Sequence, residues 1–170
     1  MTAAFRSCLL FVWLQLLVSA SSVAIAAGVG DFAPDWSLNS PTGDQIQFYA
    51  DSKDQASVVL FWATWCPYCR ELMPHIQTLA DEFKGKRVRF YALDVWEDSD
   101  PEAHMQKHGF TFSLLLAAEP AADAYGVKGT PGLFVVDKSH VIRYMRVSGE
   151  DDLDVEIALR ETINAALAGK

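Results

Sequence analysis

Ser57-Val-Val-Leu-Phe-Trp-Ala-Thr-Trp-Cys-Pro-Tyr-Cys-Arg70 is the stretch whose reading decides the fold. Its first half, Ser57 to Trp62, is an unbroken apolar, β-branched and aromatic run, the composition of a strand buried on both faces. Ala63-Thr64-Trp65 breaks away from it. From Pro67 onward, Glu71, Leu72, Ile76, Leu79, Ala80 and Phe83 have the mixed spacing of a helix that ends near Gly85. Pro67 suits a first helical turn, where its missing N–H would have had no partner, and Pro74 predicts a kink further along. Cys66 therefore falls at a helix N-terminus, where free N–H groups and the helix dipole stabilise a thiolate. Cys69 follows one turn behind, within reach of Cys66 and expected to be more buried. This order makes Cys66 the attacking nucleophile and Cys69 the resolving thiol, with a Cys66–Cys69 disulfide as the oxidised form. Trp65 is placed to present an aromatic surface beside the reactive sulfur, whereas Trp62 reads as core.

Working outward, Met1 to Ser7 carries Arg6 and leads into the apolar run Cys8-Leu-Leu-Phe-Val-Trp-Leu-Gln-Leu-Leu-Val18. Small residues follow through Ala27, and Ala24-Ile25-Ala26 has the form of a signal-peptidase site. Residues 1–27 are thus expected to be a signal peptide and residues 28–170 one domain. The expected location is periplasmic or otherwise exported. A membrane anchor over residues 8–27 is the alternative, although the run is shorter than the ~20 residues of a span. Cys8 leaves with the leader, so the exported chain has only Cys66 and Cys69. A bridge closing so short a loop removes little unfolded-state entropy, which points to chemistry instead of stapling.

The 170 residues carry 14 Lys and Arg against 22 Asp and Glu, a net charge of −8. Dropping residues 1–27 removes only Arg6 and leaves −9. So acidic a domain is unsuited to nucleic acid, whose phosphates demand a basic face.

Downstream, Val88 to Val95 reads as a strand, Pro101 to His108 as a helix stopped by Gly109, and Phe112 to Leu116 as a short strand. Ala121 to Tyr125 reads as a short helix. Gly132 to Asp137 and Val141 to Val147 read as two strands joined by a turn at residues 138–140. Asp151-Asp152 opens a closing helix that carries Leu153, Ile157, Leu159 and Ile163. Strands alternating with helices, then a hairpin and a helix, predict an α/β sandwich around a mixed sheet.

Phe61 to Arg70, Met73-Pro74, and the distal Gly126-Val-Lys-Gly-Thr-Pro131 together resemble the TlpA/ResA-like branch of the thioredoxin superfamily. The likeness runs from about Gly30-Asp-Phe-Ala-Pro-Asp-Trp-Ser-Leu38 to the C-terminal helix. It implies a three-layer thioredoxin-like sandwich, helices on both faces of a mixed central sheet, and an exported protein dithiol–disulfide oxidoreductase, often reductive. It also implies a short insert, for which residues 96–116 leave room. Partners would be client protein thiols or disulfides and a redox protein supplying electrons, with membrane proximity only if the leader stays attached. No organic cofactor and no metal is needed. The resemblance further implies a cis Thr130–Pro131 bond opposite the cysteines, its backbone open to a client peptide added as a strand. Trp65, Pro67, Tyr68, Thr130 and Pro131 are accordingly the candidate client-binding residues.

Two departures stand out. Many thioredoxins carry a buried Asp where this chain has Leu60, and many relatives in the branch carry a Glu where it has Leu72. Glu71 lies about 100° round the helix from Leu72 and reads as a solvated charge. The usual proton acceptor for Cys69 is missing from both places. Other chemistries have weaker support. A disulfide oxidase is one alternative, and His75, which completes C-x-x-C-x5-H, raises a copper-binding chaperone as another, but the helix turns His75 away from the cysteines. Gly30 to Leu38 also resembles the opening of peroxiredoxins, without their P-x-x-x-T-x-x-C spacing, and Pro67-Tyr68 is shared with cytosolic glutaredoxins. His104, His108 and His140 read as surface residues. Trp96, Phe110 and Phe112 read as core before client groove.

Overall fold

The computed structural model describes residues 27–146 and 150–169. Residues 1–26 of the expected signal peptide, with Cys8 and Ala24-Ile25-Ala26, lie outside them, whereas Ala27 packs against the core. Strands β1 (Ser37–Asn39) and β2 (Gln45–Gln47) form a small antiparallel hairpin, followed by the one-turn helix α1 (Phe48–Asp51). Strand β3 (Ala56–Trp62), helix α2 (Pro67–Glu82), strand β4 (Val88–Asp94), helix α3 (Pro101–His108) and strand β5 (Ser113–Leu115) come next. Helix α4 (Glu119–Tyr125), strands β6 (Gly132–Val136) and β7 (Ile142–Met145), and helix α5 (Asp152–Ala168) complete the fold.

The main sheet has the order β5-β4-β3-β6-β7, with β3, β4 and β5 parallel and β6 and β7 antiparallel to their neighbours. This is the expected mixed sheet. All seven residues of β3 are buried, and their side chains alternate between two cores. Val58, Leu60 and Trp62 face α2 and α5; Val59 and Phe61 face α1, α4 and the N-terminal segment. Period-two alternation with both faces covered is what a continuous apolar strand requires. The result is the three-layer thioredoxin-like sandwich.

Helices α3 and α5 begin and end where their sequences provide caps. The Asp100 carboxylate accepts from the Ala103 N–H at the head of α3, Pro101 occupies the first turn, and Gly109 closes it with a φ of 72°. Asp151 accepts from the Leu153 N–H in the same way at α5. Helix α2 continues as one element through Pro74. The closing helix departs from expectation in its inward face. Val155, Leu159, Ile163 and Ala166 are buried, whereas Leu153 and Ile157, one turn apart on another face, are exposed. The β1–β2 hairpin and α1 had no signature in the sequence; three-residue strands are too short to show a period. They are held from outside, by Trp36 stacked on Phe48 with centroids 4.9 Å apart and by the Tyr91 edge against both.

His140 is not a free surface residue. Its ring stacks on Tyr49 at 3.9 Å and its Nε2 lies 3.2 Å from the buried Ser52 hydroxyl. His104 is half-buried over the Trp62 ring, and desolvation there holds its imidazole below the ordinary range, with His108 and Arg70 adding to the effect. His75 faces α5, where its Nδ1 meets Glu156 Oε2 at 2.6 Å. Glu156 in turn accepts from Arg160, which also donates to Glu82 of α2.

Glu156 thus ties α2 to α5, and the hydrogen bonds from His75 and then Arg160 hold its carboxyl below the usual Glu range. A depressed carboxyl contributes stability that is present above its unfolded value and lost as pH falls through its folded value. Glu156→Gln is expected to lower stability by about 1 kcal/mol at pH 7, the scale of one net hydrogen bond. Urea titrations of the two proteins should draw together only as pH falls below the ordinary Glu range and through the depressed folded value, where the carboxyl is protonated in the folded state as well.

Candidate active site

The two thiols sit where β3 hands over to α2. Cys66 is the N-cap of α2, and its Sγ accepts the Cys69 backbone N–H at 3.2 Å, the role a Ser or Asp oxygen usually fills. Pro67 follows in the first turn. The Cys66 thiol also points at the Thr130 carbonyl, 3.5 Å away. Both thiols are free, so the structure describes the dithiol. Cys66 is 2% exposed and Cys69 fully buried, a smaller contrast than the sequence suggested. What separates them is chemistry: Cys66 has a backbone donor, whereas burial, and then the hydrogen bond to Cys66, push the Cys69 thiol far above its ordinary range.

Leu60 and Leu72, standing where relatives carry carboxyls, are buried in the same core cluster as the two cysteines. Glu71 is exposed, as expected of a solvated helix charge. The Thr130–Pro131 bond is cis. Gly132 comes next, opposite Phe61 in the sheet, and a Cβ there would meet Val127 Cγ1 at 2.9 Å. Only glycine lets the segment approach so closely.

Trp65 is 47% exposed and Tyr68 64%, with Pro67 exposed between them. Tyr68, Thr130 and Pro131 line a groove of about 900 Å³, which also takes in Glu71, Lys128 and Met145. The structure therefore brings Tyr68, Thr130 and Pro131 to one groove beside Cys66, with Trp65 on the adjoining surface. Phe112 is core, but Trp96 is 39% exposed. Trp96 takes a positive φ of 51°, held by its N–H donating to Glu119 at 2.7 Å. Its carbonyl accepts the Trp65 indole N–H, also at 2.7 Å. The acidic neighbours of this turn, Asp94 and Glu97, went unnoticed in the sequence. The available signal was Asp94 itself, an acid at the last position of an otherwise apolar and aromatic strand end.

The AhpC/TSA family matches residues 29–145, more than half of the chain. The chain belongs to the AhpC/TSA family. This AhpC/TSA-family chain is 28% identical over 120 residues to the thiol-disulfide oxidoreductase ResA of Geobacillus thermodenitrificans, covering 69% of its own length and 68% of that protein's. It is 30% identical over 122 residues to the thioredoxin-like protein YneN of Bacillus subtilis, covering 69% and 71%. A crystal structure from Chlorobium tepidum, described as a thiol:disulfide interchange protein DsbE, superposes with a TM-score of 0.69 at 26% identity, over 84% of this chain and 99% of that one. With this fold and a C-x-x-C pair at the head of α2, the AhpC/TSA-family chain has the apparatus of a dithiol–disulfide oxidoreductase. Val59 and Ala63 occupy the places of the Pro and Thr in the peroxiredoxin pattern, and both are fully buried.

Proposed function

We propose that the chain is an exported reductase of client protein disulfides, with Cys66 as nucleophile and Cys69 as resolving thiol. The observation that carries the reading is the Cys66 sulfur, capped by the Cys69 N–H and facing the Thr130 carbonyl at the edge of the groove. Cys66 as thiolate attacks one sulfur of a client disulfide, and the other client sulfur leaves. Cys69 then gives up its proton and attacks Cys66, releasing the second client sulfur and closing the Cys66–Cys69 disulfide. The client gains two electrons and two protons, and a dithiol redox partner restores the pair. Trp65, Pro67 and Tyr68 serve as the client's apolar landing surface, while the Thr130–Pro131 backbone pairs with its extended chain.

Reduction is favoured over oxidation because Pro67 and Tyr68 put no positive charge between the cysteines to stabilise the Cys66 thiolate, and with it the reduced form, strongly. Export is supported by the apolar leader and Ala24-Ile25-Ala26; among the described residues no helix is long and apolar enough to cross a membrane. With His75 bound to Glu156, the copper-chaperone reading has less support than thiol exchange.

The test is trapping. Cys69→Ser leaves the attack intact and the resolution impossible, so mixed disulfides should accumulate on non-reducing gels and vanish with dithiothreitol. Equal trapping by Cys66→Ser would reject the ordered mechanism. Equilibration with glutathione buffers reads the direction: the potential is expected near thioredoxin's, about −270 mV, and a value near the oxidant DsbA's, about −120 mV, would reverse it.

A further inference from the structure

The turn that delivers Cys66 is clasped by a second turn, residues 95–99, and the clasp is acidic. Glu97 Oε2 accepts the Thr64 N–H at 2.8 Å and Oε1 accepts the Thr64 hydroxyl at 2.5 Å. The same Oε1 takes the N–H groups of Asp98 and Ser99. Thr64 stands two residues before Cys66, and Trp65 between them is tied to the Trp96 carbonyl. Three hydrogen bonds thus fix the approach to the nucleophile from the 95–99 turn, and two of them end on one carboxylate.

That carboxylate lies within hydrogen-bonding reach of a second, buried one, Asp94. Asp94 is the sheet partner of Trp62, and its Oδ1 has no donor among the described residues. Two carboxylates have only acceptors between them, so a hydrogen bond there requires a proton. The four donors around Glu97 select it as the ionised member. We propose that Asp94 and Glu97 are positioning residues for the thiol exchange, a carboxyl pair sharing one proton whose ionised member clamps Thr64 and so sets the turn that presents Cys66.

The surroundings agree. Burial first, then the hydrogen bond and charge of Glu97, then the charge of Glu119 from α4, push Asp94 up to about 7. Burial also works upward on Glu97, but the Thr64 hydroxyl and the N–H groups outweigh it and hold the carboxyl below its ordinary range. The remaining charged groups facing the pair come from α3, where His104 senses Glu97, and from α2, whose Arg70 acts on His104. Above neutral pH Asp94 loses its proton, and the pair becomes two negative charges pressed together. Glu97 is then repelled from beneath Thr64, the clamp slackens, and the added charge opposes a thiolate two residues further on. Asp94→Asn keeps a donor toward Glu97 and cannot ionise.

The inference rests on Cys66 being the nucleophile, and the test separates the two. The rate of Cys66 alkylation by iodoacetamide, read by mass spectrometry on the reduced full chain, is measured from pH 5.5 to 9. The ratio of Asp94→Asn to parent should be near one at the acid end and rise through neutral pH. Stability should move in parallel. A carboxyl whose folded value is raised contributes most when protonated and loses that contribution as pH rises toward the folded value. Asp94→Asn should therefore gain in thermal midpoint relative to the parent between pH 5 and 8. A merely structural Asp94 would still give the stability trend, which follows from its burial alone, but would leave the alkylation ratio flat. Thr64→Val, which removes only the hydroxyl donor, gives an independent reading and should slow Cys66 at pH 6. A flat ratio, or a Thr64→Val chain as fast as the parent, overturns the clamp while a reactive Cys66 leaves the exchange reading standing. A Cys66 inert at every pH overturns both.

Discussion

A Cys66→Ser chain is expected to lose disulfide exchange by on the order of 10³-fold or more, the scale of a lost nucleophile. The substitution is unusually clean. Cys66 caps α2 through its side chain, and serine is among the preferred N-caps, so the hydroxyl can take over the Cys69 N–H that the sulfur now accepts. The side chain is also small and the site nearly closed. Fold and stability should be preserved, and the loss is then chemical: a hydroxyl neither ionises near neutral pH nor forms a bond to a client sulfur. Dithiothreitol-driven insulin reduction, with circular dichroism melts on the same samples, measures both sides. More than a tenth of parental activity surviving in a folded Cys66→Ser chain would remove Cys66 from the centre of the mechanism.

Trp62→Ala should produce the largest loss of stability, about 3–5 kcal/mol for deletion of a fully buried Trp side chain. Among the described residues Trp62 is the bulkiest of the fully buried side chains, at the end of β3, with the His104 ring centroid 5.4 Å from its own. Trp65→Ala, three residues on, removes the same atoms from a surface position and one hydrogen bond; its cost should stay within about 1 kcal/mol. Urea unfolding of the two variants gives the comparison. Equal midpoints would mean that Trp62 is not the anchor its burial implies.

The residues that carried the reading from sequence were those whose chemistry and spacing speak locally. The apolar run at residues 57–62 suited a buried strand, Pro101 and Gly109 bounded a helix that the structure reproduces, and Cys66 and Cys69 announced their own purpose. What stayed hidden depended on contacts across the sheet. The hairpin at residues 37–47 exists because Trp36 finds Phe48 and Tyr91, no two of which are neighbours in sequence. His140 looked like a turn residue until Tyr49 and Ser52 came alongside it. Glu97 and Thr64 are 33 positions apart, and nothing short of the parallel pairing of β3 with β4 brings them together.

The short segment before β1 has a bearing on how the domain is presented. Gly30 N–H donates to the Ile142 carbonyl, Ile142 N–H to Asp31, Ala33 N–H to the His140 carbonyl, and Phe32 bridges Val141. The segment is therefore sewn to the start of β7, beside the end of β6, whose Val136 pairs with Ser57 at the far end of β3 from Trp62. Along β3 that separation is about 16 Å, five steps of roughly 3.3 Å. The chain enters the domain at one pole, and the thiols open at the other. A tether attached through residues 1–26 would hold the protein by its back, leaving Cys66 turned outward toward whatever arrives.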